Sequence, residues 1–281
     1  MVSIKDILDK KGKEKIIMLT CYDYSFAKIL DEAGIDMILV GDSLANVVLG
    51  MSNTKDISFL EMYNHTKAVG SAVINSLVVA DMPYVAYQKN PDKALYYAEK
   101  FIKAKAGAVK IEWFEGKKNC VYVAKKLIKN KIPVMGHIGL TPQTVHLLGG
   151  YKVQGKDLNS AKKLIEESKI LEDVGVFSIV LECMPYQLAG YITNILKIPT
   201  IGIGAGKFCD GQVLVLYDLL NIYKKIRPKF VRTYEDFYSR TKEAILKFIA
   251  DVKNSNFPDD LESFSISKEE LSKLQLDIPY E

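Results

Sequence analysis

The chain has 281 residues, 48% hydrophobic and 26% charged, with a formal net charge of +4; it holds enough apolar material for a large buried core, which argues against disorder. Its lysines are spread over the whole length, so no block offers the electrostatic grip that a nucleic acid backbone requires. The longest uncharged stretch, Ile132 to Tyr151, carries Pro133, Pro142, Gly136, Gly139, Gly149 and Gly150, which is unsuited to a lipid-spanning helix.

In chain order, Met1 to Lys15 mixes acids with Lys10, Lys11, Lys13 and Lys15 and lacks the apolar stretch of a signal peptide; a helix is expected over 3–12. Beyond it a short β-branched run, a turn and a longer amphipathic stretch recur to Tyr217. The runs are Ile16 to Cys21, Met37 to Asp42, Leu77 to Met82, Ala108 to Trp113, Pro133 to Ile138, Phe177 to Cys183, Ile198 to Ile203 and Gln212 to Tyr217. Between them lie predicted helices at Tyr24 to Ala33, Leu60 to Val73, Asp92 to Ala106, Cys120 to Asn130, Ser160 to Val174 and Tyr186 to Leu196, with Gly34 and Gly107 as stops. The interval from Gly204 to Gly211 is too short for a helix. Beyond Arg227 a polar-faced helix, Tyr234 to Asn254, precedes an extended tail, so that residues from about 232 to 281 form an appendage.

Eight strand–helix units predict a parallel sheet with crossover helices. They favour a closed (β/α)8 barrel, a TIM barrel in a single domain 1–281, over an open doubly wound sheet. Cys21, Cys120, Cys183 and Cys209 lie far apart, with no C-x-x-C and no zinc-ligand spacing, and read as reduced packing residues of a cytoplasmic protein.

In such a barrel chemistry gathers where strands end, so polar residues that close apolar runs are candidates. Strand two ends in Asp42-Ser43, strand three in Asp81, strand five at His137 and strand six in Glu182, while strand four carries Lys110 and Glu112 around Ile111. Alternation puts Lys110 and Glu112 on one side, where Asp42, Asp81 and Glu182 can join them. Carboxylates meeting in one mouth need protons or a cation to neutralise them. Oxygen ligands without a Cys or His cluster suit Mg2+ better than Zn2+. A partly coordinated Mg2+ can be chelated by a 2-oxo acid and stabilise charge developing on its ketone oxygen, with Lys110 adding a second positive charge. Plainer roles stand beside these: any one acid could cap a helix, Lys110 could pair with Glu112, and His137 could be a core histidine.

Gly202-Ile-Gly204-Ala-Gly206 follows a strand but no clear helix comes after it, which argues against a dinucleotide site and for a tight loop at the mouth. Tyr96, Tyr97, Phe101 and Trp113 read as packing residues. Leu147 to Tyr151 reads as either a lid or a plain turn.

Met18-Leu-Thr-Cys-Tyr-Asp23, Val40-Gly-Asp-Ser-Leu44 with Val48-Leu-Gly50, Val109-Lys-Ile-Glu112 and Gly136-His-Ile-Gly-Leu-Thr-Pro-Gln143 resemble, in order, the ketopantoate hydroxymethyltransferase family. So do Gly149-Gly-Tyr-Lys-Val-Gln-Gly155, Leu181-Glu-Cys-Met-Pro185, Ile198-Pro-Thr-Ile-Gly-Ile-Gly-Ala-Gly206 and Asp210-Gly-Gln-Val-Leu-Val215. The resemblance implies a (β/α)8 barrel in a homodecamer that uses one Mg2+ per subunit. It also implies transfer of a hydroxymethyl group from 5,10-methylenetetrahydrofolate to 3-methyl-2-oxobutanoate, giving 2-dehydropantoate for pantothenate synthesis. Carried over by motif, Asp42 and Asp81 would ligate Mg2+, Glu112 would support it directly or through water, and Ser43 and Lys110 would hold the oxo acid. Glu182 would accept the proton, with His137 beside the substrate. Ala45-Asn46, Trp113-Phe114 and His146 depart from the family pattern without removing a proposed ligand. Trp113 raises the expectation of a narrowed mouth or an altered subunit contact.

Two other readings compete. A Mg2+-dependent 2-oxo-acid lyase of the phosphoenolpyruvate and isocitrate type would share the barrel and the enolate, but would usually carry a Cys on a flexible loop, whereas Cys183 adjoins Glu182. An inert barrel serving as a scaffold is opposed by the intact Asp42, Asp81 and Glu182.

Overall fold

The structure, a computed structural model, describes residues 1–116, 118–223 and 228–274; the end of the expected tail, 275–281, and the boundary at Arg227 lie outside them. The predicted alternation closes on itself. Strands β1 (Ile16–Thr20), β2 (Met37–Val40), β3 (Leu77–Asp81), β4 (Ala108–Glu112), β5 (Val134–Gly139), β6 (Ser178–Glu182), β7 (Thr200–Ile203) and β8 (Gly211–Leu214) form a closed barrel in sequence order. Every pairing is parallel, and β8 returns to β1 with Ile16 opposite Gly211.

Side-chain alternation sorts the strands into two apolar layers. Met18, Met37, Leu39, Leu77, Val79, Ala108, Met135, Val180, Ile201 and Val213 pack together inside the barrel, with Ile7 of the N-terminal helix Ile4–Asp9 among them. The intervening residues, such as Ile38, Val40, Val78, Ala80, Val109, Ile111, Ile138, Ile179 and Leu181, face the surrounding helices. The inward rows therefore run Leu77, Val79, Asp81 on β3, Ala108, Lys110, Glu112 on β4, Met135, His137 on β5 and Val180, Glu182 on β6. Apolar side chains fill the barrel, and the polar set begins where the strands end.

Each outer helix follows its periodicity. Helix Phe59–Ala72 starts at a Ser58/Glu61 capping box and Leu158–Val174 at an Asp157/Ser160 one; Asp23 caps Tyr24–Glu32. Gly34 stops the last of these with φ +79°, but the expected stop at Gly107 is displaced: helix Ala94–Lys103 ends at Ala104, and Lys105 takes the positive φ of +68°. Gly107 instead answers a packing need, since a Cβ there would stand 2.5 Å from Leu77 Cδ1. No helix joins β7 to β8, as the short interval required. The eighth strand is shorter than the run Gln212 to Tyr217 predicts, because Leu216–Leu219 is a helical turn.

Helix Phe237–Lys253 lies apart from the barrel core, with every residue exposed, including Ile245, Leu246, Phe248, Ile249 and Val252. Among the described residues, no helix is long and apolar enough to cross a membrane.

Candidate active site

Parallel register brings the polar strand ends side by side: Asp81 is opposite Lys110, Glu112 opposite His137, and Glu182 opposite Gly139. Asp42 lies just past β2, where its amide donates to Asp81 Oδ2 at 2.9 Å. Lys110 Nζ stands 2.7 Å from Asp81 Oδ1 and 3.3 Å from His137 Nδ1. His137 Nε2 faces Glu182 Oε2 at 3.2 Å, while its Nδ1 is 3.7 Å from Glu112 Oε1. Six of the seven predicted residues are thus gathered in one chain of contacts, and all but Glu182 of these six are buried. Ser43 joins from the rim, its Oγ sharing a hydrogen bond of 2.8 Å with the Tyr22 hydroxyl.

Burial sets the charge states. It disfavours ionised Asp81, and with Asp42 nearby this outweighs Lys110 and raises the Asp81 pKa to about 6. Burial likewise pushes Glu112 well above the carboxylate range, with Asp42 adding to it, and raises Glu182 to about 7 against the pull of Lys110. For Lys110 burial works against the charge, but Asp81, Asp42 and Glu112 more than offset it, so the ammonium is retained. Burial first, and Lys110 second, hold His137 neutral. With Nδ1 facing the ammonium as acceptor, the ring proton belongs on Nε2, which lies near Glu182 but off the hydrogen-bonding direction and is itself unsatisfied.

Sequence reasoning missed the residues that brace this set. Gln143 donates from Nε2 to Asp42 Oδ2 at 3.0 Å and to the Met82 carbonyl at 3.0 Å, and from its amide to Glu112 Oε2 at 3.1 Å. Its Oε1 accepts from the Tyr87 hydroxyl at 3.0 Å and Gln88 Nε2 at 3.1 Å, and Tyr87 in turn accepts from the Glu112 amide at 2.9 Å. Gln143 follows Thr141-Pro142 at the start of the loop after β5; it closes the segment Gly136 to Gln143 that carries part of the family resemblance, but nothing in that segment showed which atoms it reaches. Farther along the loop, the Tyr151 hydroxyl is partly desolvated and close enough to Asp42, Glu182 and Glu112 for their charges to raise its pKa. Tyr151 and Leu147 are themselves largely exposed, so the segment lies near the acids without burying them. Trp113 does not narrow the barrel: it packs with the outer apolar layer, one residue beyond inward-facing Glu112.

Asp81 Oδ1 and Glu112 Oε1 are buried without a well-formed hydrogen bond, the Lys110 contact being an ion pair off the hydrogen-bonding direction. Two such oxygens are a donor set that a hard divalent cation satisfies. Among the described residues, no group of three or more His, Cys, Asp or Glu side chains is placed to hold a metal ion, so such an ion would bind here through at most two of these carboxylates, with water or substrate in its other positions.

Gly139 fixes the step from β5 into this loop. Its φ is +97°, and a Cβ would collide with the Glu182 carbonyl. Gly139→Ala should cost about 2 to 4 kcal/mol of stability, read as a lower urea midpoint; an unchanged midpoint would show that the strand ends move apart freely.

The ketopantoate hydroxymethyltransferase family model matches residues 1–260. The chain belongs to the ketopantoate hydroxymethyltransferase family. Relatives named 3-methyl-2-oxobutanoate hydroxymethyltransferase include one from Clostridium botulinum strain Langeland, 49% identical over 97% of this chain and 98% of the relative. Another, from Syntrophomonas wolfei, is 50% identical over 94% of this chain and 95% of the relative. Among solved structures, phosphonopyruvate hydrolase in complex with oxalate and Mg++ matches with TM-score 0.61 at 10% identity, covering 98% of this chain and 95% of that one. A 2,3-dimethylmalate lyase of the PEP mutase/isocitrate lyase superfamily matches with TM-score 0.59 at 14% identity, over 98% and 95%. These two likenesses extend to the barrel alone, so the lyase that competed on sequence retains a shared fold, whereas the ketopantoate hydroxymethyltransferase family accounts for the sequence itself.

Proposed function

We propose that this chain forms 2-dehydropantoate and tetrahydrofolate from 3-methyl-2-oxobutanoate, 5,10-methylenetetrahydrofolate and water: the C3 proton of the oxo acid is removed, the resulting enolate bonds to the one-carbon unit, the bonds from that carbon to the folate nitrogens break, and water supplies the hydroxyl oxygen. The observation that carries this reading is the pairing of a buried, retained cation, Lys110, with a carboxylate of raised proton affinity, Glu182, across neutral His137.

Asp42 and Asp81 would hold Mg2+, with Glu112 supporting it through water; the unsatisfied oxygens of Asp81 and Glu112 fit that role. When bound, the ion supplies Lewis acidity toward the oxygens of the oxo acid. Lys110 Nζ would anchor the oxo acid and oppose the negative charge that develops as the proton leaves. Ser43, positioned by Tyr22, would bind the substrate's polar end. Glu182 would take the C3 proton: its pKa of about 7 leaves it substantially ionised at neutral pH yet basic enough to accept one. His137 Nε2, 3.2 Å from Glu182 Oε2 but off the hydrogen-bonding direction, would pack beside the base. Lys110 and Glu182 would act on neighbouring atoms of one small substrate, which suits a mouth braced on several sides by Gln143.

We also propose that the chain is a single barrel domain with an appended helix and tail, cytoplasmic, and a homo-oligomer of the decameric kind the family resemblance implies. The exposed apolar residues of helix Phe237–Lys253 support association.

The test is to incubate the protein with 3-methyl-2-oxobutanoate in D2O, with and without Mg2+, and then add methylenetetrahydrofolate. Metal-dependent exchange at C3 followed by 2-dehydropantoate is expected. Exchange without product would point to another enolate enzyme, and no exchange in either condition to an inert scaffold.

A further inference from the structure

Beside the acids already described, the mouth has a carboxylate with no assigned task. Asp218 lies on the turn Leu216–Leu219 that follows β8. Leu216 donates its amide to Thr20 Oγ1 at 3.0 Å, which ties the start of this turn to the end of β1. Tyr217 packs edge-on against Tyr22, with ring centroids 5.5 Å apart, and lies 6.3 Å from the Phe26 ring. The backbone that carries Asp218 is therefore fixed on both sides.

The Tyr22 hydroxyl bonds Ser43 and lies within electrostatic reach of both Asp42 and Asp218, whose charges oppose its ionisation. Asp218 thus stands at the β8–β1 side of the mouth, near Tyr22. It is half-buried, and among the described residues neither a hydrogen bond nor an ion pair satisfies its carboxylate. Burial alone raises its pKa, to about 6, so it is mostly ionised at neutral pH. Its oxygens are open to solvent, so a ligand that brings donors to them displaces water and meets no competing protein partner among the described residues.

A reduced folate has one edge that brings such donors. The 2-amino group and the adjacent ring N–H of its pterin are parallel donors, and a carboxylate accepts from such a pair with both oxygens. The glutamate tail, being anionic, is repelled by Asp218. The carbon to be transferred sits on the pterin half of the donor, so a pterin held beside Tyr22 keeps that carbon near the mouth.

We propose that Asp218 is the binding residue for the pterin edge of the one-carbon donor, its two oxygens accepting from the 2-amino group and the neighbouring ring N–H. This inference rests on the folate donor of the proposed function. It is tested by calorimetric titration of the whole enzyme with tetrahydrofolate, with a tetrahydrofolate analogue lacking the 2-amino group, and with 3-methyl-2-oxobutanoate in the presence of Mg2+.

Wild-type enzyme should bind tetrahydrofolate about 10- to 100-fold more tightly than the analogue, the range expected when a charged hydrogen bond is lost. In Asp218→Asn, tetrahydrofolate should weaken by a similar factor and the preference for the amine should vanish, with oxo-acid affinity shifting by a clearly smaller factor, because Asp218 reaches that ligand only through Tyr22 and Ser43. A variant that merely loosened the mouth would weaken both ligands and keep the preference. Equal wild-type affinity for tetrahydrofolate and the analogue overturns the assignment without any variant. Wild-type enzyme that binds the oxo acid but not tetrahydrofolate overturns the folate donor itself and this inference with it.

Discussion

Glu182→Gln should lower C3 exchange and product formation by about 100- to 10,000-fold, the range for loss of a positioned general base, while making the metal-free protein more stable above neutral pH. Both effects come from one cause. Burial raises the Glu182 pKa from 4.5 to about 7, so between those values the folded chain keeps a proton that the unfolded chain has released. The stabilisation linked to that proton is complete below 4.5 and is lost as pH rises through 7, leaving the ionised carboxylate to cost on the order of 3 kcal/mol above it. Glutamine cannot ionise and removes the cost. In EDTA, urea unfolding at about pH 8 should therefore show a gain of about 1 to 3 kcal/mol for the variant, and at about pH 4 little change. Wild-type kcat/KM should rise with pH and flatten near 7, a bound divalent cation moving that midpoint down by favouring the ionised form. Retention of wild-type exchange by Glu182→Gln would remove Glu182 from proton transfer.

The barrel and the polar ring were legible in the sequence because a parallel strand covered on both faces is a short continuous apolar run, and any polar residue interrupting it stands out. Asp81, Lys110, Glu112, His137 and Glu182 each occupy an inward position on the same row as the apolar residues that fill the barrel, a consequence of period-two alternation. What escaped notice has equally physical reasons. Leu44–Val47, Tyr84–Tyr87 and Leu216–Leu219 are helical turns of four residues without a side-chain cap hydrogen bond, too short to display a period. Leu214 to Tyr217 is one unbroken apolar run, and nothing local marks the change from strand to turn within it. Lys105, rather than Gly107, takes the left-handed conformation because Gly107 is needed against Leu77, a constraint of packing between elements. Gln143 and Tyr87 are uncharged, and their importance lies wholly in which distant atoms they reach. Asp218 directly follows the expected run Gln212 to Tyr217, so its placement was as legible as that of the other acids and was passed over.

Asp81→Asn should abolish the thermal stabilisation that Mg2+ gives the wild-type protein and reduce Mg2+-dependent exchange by about 100- to 1,000-fold, the cost of losing one preorganised electrostatic group. In the wild type, a cation present at about a hundred times its dissociation constant adds about 2.7 kcal/mol to stability, a shift that thermal unfolding resolves readily. The substituted carboxamide would still offer a carbonyl oxygen to the Asp42 amide, which now bonds Asp81 Oδ2 at 2.9 Å, so Asp42 should remain in place. The change falls on the other oxygen. Oδ1, now 2.7 Å from Lys110 Nζ, would become an amide nitrogen that presents hydrogens to the ammonium and has no charge to share with a metal. The variant thus separates two accounts of the buried acids. If Asp81 served only as the counter-ion of Lys110, the substitution would destabilise the protein equally with and without Mg2+, and the metal increment would persist. If Asp81 holds the cation, the metal increment disappears even where the metal-free protein is barely changed. Full Mg2+-dependent exchange in Asp81→Asn would exclude this carboxylate as a ligand and leave Asp42 and Glu112 to hold any ion by themselves.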